Sequence, residues 1–301
     1  MTVKIRSLKP IVPFYQLKRP IQWTQIFSQR SPLDVEIGFG MGEVLLREAA
    51  NNPDRNYIGI EQHWERICKT LKKINVDNIR IIQEDVRAAF KRLFDSQSID
   101  FVFCLFPCPW PKKGHVKHRL FSNQFLKLIN SRLKKNGELK IVTDFYPYFE
   151  WVLEQGEGAG FRISTEKIEP QFGTKFERKW QKEGQDKFFE INMQKIKHIE
   201  MDVEEDVELK IYKVDHFDPK KIKLENVKGN PSVIFKDMLF DQEKKKAVIY
   251  TIVAEEELTQ HFRISVKNTQ NRWTISKEEG QSFFPTPGIA RALELVYEAT
   301  R

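Results

Sequence analysis

The chain has 301 residues, 40% of them apolar and 31% charged, and a formal net charge of +8. That balance supports a packed core and excludes a disordered chain. No apolar run approaches the roughly 18 residues of a membrane span, the basic start lacks the continuous apolar stretch of a secretory signal, and three cysteines without a C-x-x-C pair suit reduced thiols in the cytoplasm rather than a disulfide scaffold.

Residues 1–30 mix proline, aromatic and basic residues without a period and read as an N-terminal arm, with one short helix over Trp23 to Phe27. A regular pattern then sets in. Strands are expected at Asp34 to Ile37, Asn56 to Ile60, Ile79 to Ile82 and Ile99 to Phe106. Helical spacing lies between them at Val44 to Asn51, Trp64 to Ile74 and Val86 to Phe94. The run IDFVFCLF is almost wholly apolar, as a strand buried on both faces should be. A helix over Phe121 to Leu133, a turn at Asn136-Gly137 and a strand over Glu138 to Thr143 follow, and Phe161 to Ile168 with Phe188 to Met193 would close the sheet edge as an antiparallel pair. Such alternation implies an α/β, doubly wound, Rossmann-like sheet over residues 31–197.

From about His198 the strand-like segments lose their intervening helices: Val207 to Val214, Ser232 to Phe235, Ala247 to Ala254, Phe262 to Val266 and Trp273 to Ser276, with one closing helix at Gly288 to Ala299. Residues 198–301 therefore read as a smaller, mainly β domain. Charge divides along the same line. Residues from 201 onward hold 16 Lys/Arg against 18 Asp/Glu, whereas the first 200 hold 34 against 24. The basic excess belongs to the N-terminal part, which points to an anionic partner there, nucleic acid first.

The first chemical signal is EIGFGMG, with Gly38, Gly40 and Gly42 between a strand and a helix. Glycine lets backbone turn tightly and approach a ligand. The spacing G-x-G-x-G differs from the dinucleotide G-x-G-x-x-G, and Glu36 just before it would repel pyrophosphate. A carboxylate there suits a cationic ligand bearing an amino group, such as S-adenosylmethionine. Glu61 ends the second strand, where an acid can accept from ribose hydroxyls, and Asp85 ends the third, within reach of an adenine amino group. Ligands of such sheets bind outside the carboxyl ends of the strands, where these acids fall.

The second signal, LFPCPWPKKGHVKHR, follows the fourth strand. Prolines 107, 109 and 111 stiffen a loop, Trp110 offers a flat apolar face, and the residues after it turn basic. Together EIGFGMGE, GIE at 59–61, FPCPWPKKGHVKHRL, Thr143-Asp144 and TKFE at 174–177 resemble the bacterial tRNA (guanine-N7-)-methyltransferase family in order and spacing over roughly residues 30–195. The last hundred residues have no counterpart in its usual, shorter members.

The resemblance implies a class I methyltransferase that moves a methyl group from S-adenosylmethionine to N7 of guanosine in tRNA, at position 46 of the variable loop. It implies that Glu36, Gly38, Gly40, Gly42, Glu61, Asp85 and position 108 face the cofactor. Lys112, Asp144 and the segment Thr174, Lys175, Phe176, Glu177 would hold the guanine. Lys113, Gly114, His115, Val116, Lys117, His118 and Arg119 would meet the RNA, which agrees with what basic residues on an irregular segment do with phosphates. One departure stands out: Cys108 occupies the place of the family's catalytic aspartate. Guanine N7 carries a lone pair and no proton, so transfer to it needs alignment more than deprotonation, and an active enzyme is expected. The alternative is an RNA-binding protein on a methyltransferase scaffold, weak or inactive in catalysis. An adenine-N6 enzyme would need an amide or acid before its prolines, which Pro-Cys-Pro-Trp lacks. Cys104, Cys108, His115 and His118 are spaced C-x3-C and H-x2-H, a poor match to structural zinc patterns, so no metal is expected. A monomer and a homodimer are both compatible with the sequence.

Overall fold

A computed structural model describes residues 7–184, 187–256, 258–269 and 272–301. The start of the N-terminal arm, residues 1–6, lies outside the described residues. The chain divides into two compact units, residues 1–204 and 205–301.

Before its sheet the first unit carries a short helix α1 (Trp23–Ile26). Seven strands follow: β1 (Leu33–Ile37), β2 (Asn56–Ile60), β3 (Ile79–Ile82), β4 (Ile99–Leu105), β5 (Leu133–Thr143), β6 (Phe161–Ile168) and β7 (Phe188–Lys195). Their order across the sheet is β3-β2-β1-β4-β5-β7-β6. The first five run parallel, β7 returns antiparallel to β5, and β6 pairs antiparallel at the edge. Every residue of β1, β2 and β3 is buried, as apolar strands covered on both faces require. The crossovers carry α2 (Glu43–Asn51), α3 (Trp64–Leu71), α4 (Val86–Arg92) and α5 (Asn123–Arg132). Strand order reverses between β1 and β4, and the crevice outside the carboxyl ends of those two strands is the ligand position of such sheets. The glycine turn follows β1 and the proline loop follows β4, so both chemical signals meet at that point.

The strand β5 is longer than its apolar run suggests. Leu133 already pairs with Ile99, and Asn136-Gly137 forms an irregularity inside the strand, with Asn136 at φ 60°. Two helices not expected from periodicity complete this unit: α6 (Tyr146–Gln155) and α7 (Lys175–Lys182). The stretch read as an arm packs on the sheet. Val12, Phe14, Ile21, Trp23 and Phe27 are buried, Val12 N–H donates to the Ile81 carbonyl at 2.9 Å, and Trp23 stacks on Phe94. Residues 197–204 are tied down by polar groups: buried Arg132 donates to the Met201 and Asp202 carbonyls, and Arg92 pairs with Glu204 at 2.7 Å.

The second unit is a five-stranded antiparallel sheet of β8 (Tyr212–Val214), β9 (Ser232–Asp241), β10 (Lys246–Glu255), β11 (Leu258–Thr269) and β12 (Arg272–Lys277), ordered β8-β12-β11-β10-β9. Its alternate residues Ala247, Ile249, Val253, Phe262, Ile264 and Val266 are buried with Ile289, Leu293 and Val296 of α8 (Pro287–Glu298). One face of the sheet and one face of the helix thus share a core.

Candidate active site

The glycine turn is built around two opposite demands. Gly38, Gly40 and Gly42 have φ of 70°, 55° and 72°, a region that L side chains rarely adopt. A Cβ on Gly42 would strike the Thr70 side chain at 2.4 Å, so Gly42 seats α2 against α3, whereas a Cβ on Gly38 would meet nothing within 4 Å. One glycine closes the fold and the other leaves its outer face open. Beneath them Glu36 is 4% exposed. The Leu45 backbone N–H donates to its carboxylate, and Oε2 has no partner among the described residues. Burial pushes this carboxyl up to about 8. Burial, with Glu36 adding to it, also pushes the nearby Cys104 thiol far above its usual range. Glu36 is thus a buried carboxyl with one oxygen unpartnered among the described residues, two residues before the open turn at Gly38.

Glu61 lies at the end of β2 and is equally buried. Its Oε1 accepts from His63 N–H at 3.0 Å, and its Oε2 from Gly40 N–H at 3.2 Å and from Arg66 at 3.3 Å. It therefore ties the glycine turn to β2. Asp85 caps α4, with Oδ1 accepting from Arg87 N–H at 2.8 Å, while Oδ2 accepts from Gln62 at 2.8 Å. Its neighbour Glu84, which the sequence reading passed over, is pushed up to about 7 by burial. Glu36, Glu61 and Asp85 stand at the carboxyl ends of three adjacent strands, as their spacing implied.

The proline loop is held in an unusual backbone shape. Phe106 and Trp110 flank the motif at φ 55° and 44°, values that cost bulky residues energy and persist only where the surroundings impose them. Phe106 is fixed by its N–H on the Val142 carbonyl at 2.8 Å and by ring contacts to Phe188 and Phe176. Cys108, between them, is exposed. After the loop, Lys113–His118 winds as a 3-10 turn. Lys112, Lys113, Gly114, His115, Lys117 and His118 are exposed and Val116 is half-buried. The rings of Trp110, His115 and His118 cluster with centroids 5.3 to 6.0 Å apart.

Arg119 departs from the expectation that it meets RNA. It is 7% exposed, its guanidinium lies over the rings of Tyr148 and Trp151 on α6 at 5.5 and 5.2 Å, and its Nε donates to the Pro109 carbonyl at 3.0 Å. Its own carbonyl accepts from Arg87 of α4 at 3.0 Å. Arg119 is a brace that links the proline loop, α6 and the helix capped by Asp85.

Glu177 departs in the same way. It is 1% exposed, and its carboxylate accepts from the N–H groups of Gln171, Phe172 and Thr174 at 2.9 to 3.0 Å. Thr174 Oγ1 accepts from Glu177 N–H in return, a reciprocal cap that starts α7. Its carboxylate is thus committed to shaping the segment. Phe176, by contrast, is 54% exposed. Removing the Glu177 carboxylate strands three backbone donors, so Glu177→Ala should cost about 3 kcal/mol of stability, read as a lower urea midpoint with loss of amide protection at residues 171–174. Glu43, the last residue of EIGFGMGE, was not singled out from sequence. It accepts from Lys175 N–H at 3.0 Å and from Arg178 at 2.6 Å, and so clips the glycine-turn helix to α7. Lys175 thus joins this clip by its backbone. Asp144, after β5, is half-buried, and burial raises its carboxyl above the usual range while Lys179 opposes the shift. Among the described residues no group of three or more His, Cys, Asp or Glu is placed to hold a metal, and no helix is long and apolar enough to cross a membrane.

A doubly wound sheet with a glycine turn and a stiff loop at its switch point is the frame of a methyltransferase, and a family model described as "Putative methyltransferase" matches residues 30–190. A tRNA (guanine-N(7)-)-methyltransferase of Chlorobium phaeobacteroides is 43% identical over 182 residues, covering 59% of this chain and 89% of that protein. Those of Thermotoga maritima and Aquifex aeolicus are 28% and 29% identical, cover 96% and 95% of this chain, and are themselves 97% covered. The chain belongs to the tRNA (guanine-N(7)-)-methyltransferase family. The last two alignments run through the second unit as well, so its residues have a counterpart in sequence in those two relatives.

Proposed function

We propose that the protein transfers a methyl group from S-adenosylmethionine to N7 of a guanosine in tRNA, the variable-loop position 46 being the site its family resemblance implies. What carries the reading is the meeting of two features at one switch point: the open glycine turn over the unpartnered Oε2 of Glu36, and the braced proline loop carrying Cys108. The orphaned oxygen fits the ammonium of the methionine part, so the residues present suit the group. Glu36 and the turn at Gly38 and Gly40 would hold it, with Glu61 and Asp85 alongside. When bound it supplies an activated methyl on a sulfonium.

The chain's own residues have a modest task. The guanine N7 lone pair is the nucleophile, so no side chain has to remove a proton first. Lys112 and Asp144 orient the guanine, and α7 covers it with Phe176. Methylation leaves positive charge on the ring, which the Asp144 carboxylate would offset on this reading. Cys108 lines the loop at that point. The exposed basic turn Lys113–His118 receives the RNA backbone, as cations on irregular segments do.

The test is incubation of the protein with an unmodified tRNA transcript and methyl-labelled cofactor, followed by nucleoside analysis. Label in 7-methylguanosine is expected. Cofactor binding without methylation of any RNA would instead favour a scaffold that binds only. Cys108→Ala should retain activity within about tenfold of wild type, since alignment rather than acid-base chemistry dominates. A silent wild type beside an active Cys108→Asp would mark the chain as a disabled relative.

A further inference from the structure

Beside Asp144 lies an aromatic surface that neither the cofactor nor the guanine site uses. Tyr146 opens α6 two residues after Asp144 and is 49% exposed. Its ring stacks on Phe149 at 5.8 Å and 27°, and meets Phe189 at 5.2 Å; Phe149 and Phe189 are 5.1 Å apart. Phe189 stands across from Thr143 on one side and Lys167 on the other, so a single cross-strand row runs from the end of β5 to the sheet edge. The Lys167 ammonium lies 5.8 Å from the Phe189 ring centroid. The Tyr146 hydroxyl donates to Glu150. Phe188, one residue earlier, faces the opposite side and packs with Phe106, Val142 and Ile168. The core therefore accounts for Phe188 but leaves the Tyr146 surface in solvent.

We infer that Tyr146, backed by Phe149 and Phe189 and flanked by Lys167, is a stacking platform for an unpaired nucleobase next to the target guanosine. The inference rests on the proposed tRNA substrate and adds the handling of its neighbouring nucleotide. A base that presents its N7 to a buried methyl donor has to leave its stack, which costs a few kcal/mol. Its neighbour then loses a stacking partner. A flat, half-exposed ring immediately beside the guanine-holding Asp144 recaptures that neighbour, and base–aromatic stacking is the usual way single-stranded RNA is held without sequence preference. The adjacent lysine matches a phosphate. Continuity with the guanine site and this cation favour a nucleotide over a protein partner.

The experiment measures tRNA binding and methylation separately, using an unmodified transcript in which single-stranded positions near the modified guanosine are replaced one at a time by 2-aminopurine. Tyr146→Ala should weaken transcript binding about 10- to 100-fold, with melting temperature and cofactor affinity unchanged, and Tyr146→Phe should behave as wild type. One 2-aminopurine position should be quenched by wild type and not by Tyr146→Ala. Lys167→Ala should lower the salt slope of binding by about one. Equal binding and equal quenching by wild type and Tyr146→Ala would overturn the platform. Absence of 7-methylguanosine with wild type would instead strike the proposed reaction, because the binding and quenching differences are read without turnover.

Discussion

Replacing Arg119 with alanine should lower kcat about a hundredfold while leaving cofactor affinity within about twofold, the scale of loss that a misplacement near 1 Å produces at a reacting centre. Phe106 and Trp110 hold positive φ on either side of Cys108, a conformation they would leave if released. The Arg119 Nε bond to the Pro109 carbonyl pins the loop between them. The guanidinium is in turn held over Tyr148 and Trp151, where a desolvated cation–π contact contributes about 2 kcal/mol. Alanine deletes all three contacts and leaves the Pro109 carbonyl without this donor. The loop then relaxes, and the guanine is no longer aligned. Arg119→Lys keeps the charge but not the planar stack or the fixed donor, so it should recover stability more than turnover. That split separates a brace for the active loop from a merely structural arginine: a purely structural role would restore kcat and melting temperature together. Equal kcat in wild type and Arg119→Lys would remove Arg119 from the positioning of this loop.

Arg119 also shows where sequence reading stops. In KKGHVKHR it stands among five other lysine or histidine residues, and nothing local distinguishes a buried guanidinium from a solvated one. Its burial is decided by Tyr148 and Trp151, some thirty residues later. The parallel strands were legible because burial on both faces leaves continuous apolar runs, as in Ile99–Leu105. The helix α7 was not, because KFERKWQK has almost no apolar face and buries only Glu177. Its start depends on a reciprocal cap instead. The helix α6 was hidden for the opposite reason: YPYFEWVLEQ is apolar on several sides, with a proline in its first turn and no capping side chain. For the site, Glu36, Glu61 and Asp85 could be placed from strand ends alone. That Glu61 and Asp85 also accept bonds from the glycine turn and from α4 could not, since those bonds join segments more distant in sequence or form only once a helix starts.

A second large effect, dependent on pH, is expected at Glu36. Burial raises this carboxyl from 4.5 to about 8. In the unfolded chain it ionises near the usual carboxylate range, so between about pH 4.5 and 8 the folded, unliganded protein binds more protons than the unfolded one. Stability from this group is therefore greatest at low pH and falls as pH rises toward 8, by at most about 1.4 kcal/mol per unit. An ammonium placed on Oε2 favours the ionised form, so binding it expels the proton. Cofactor affinity should then rise with pH between about 6 and 7.5, by up to about tenfold per unit, and flatten near 8, where a free α-amino group itself begins to lose its charge. Glu36→Gln removes both the titration and the counter-charge. Its affinity should fall about 100-fold at pH 7.5, in the range measured when one partner of a buried charge pair is truncated, and its slope with pH should vanish. The unliganded variant should also be more stable than wild type above pH 7, because a neutral amide is spared the desolvation of a buried carboxylate. Calorimetry in two buffers of different ionisation enthalpy reads the proton directly: nearly one released per cofactor bound by wild type, none by Glu36→Gln. A wild-type affinity that stays flat over this window would place the ammonium away from Oε2 and leave that buried oxygen without a ligand to explain it.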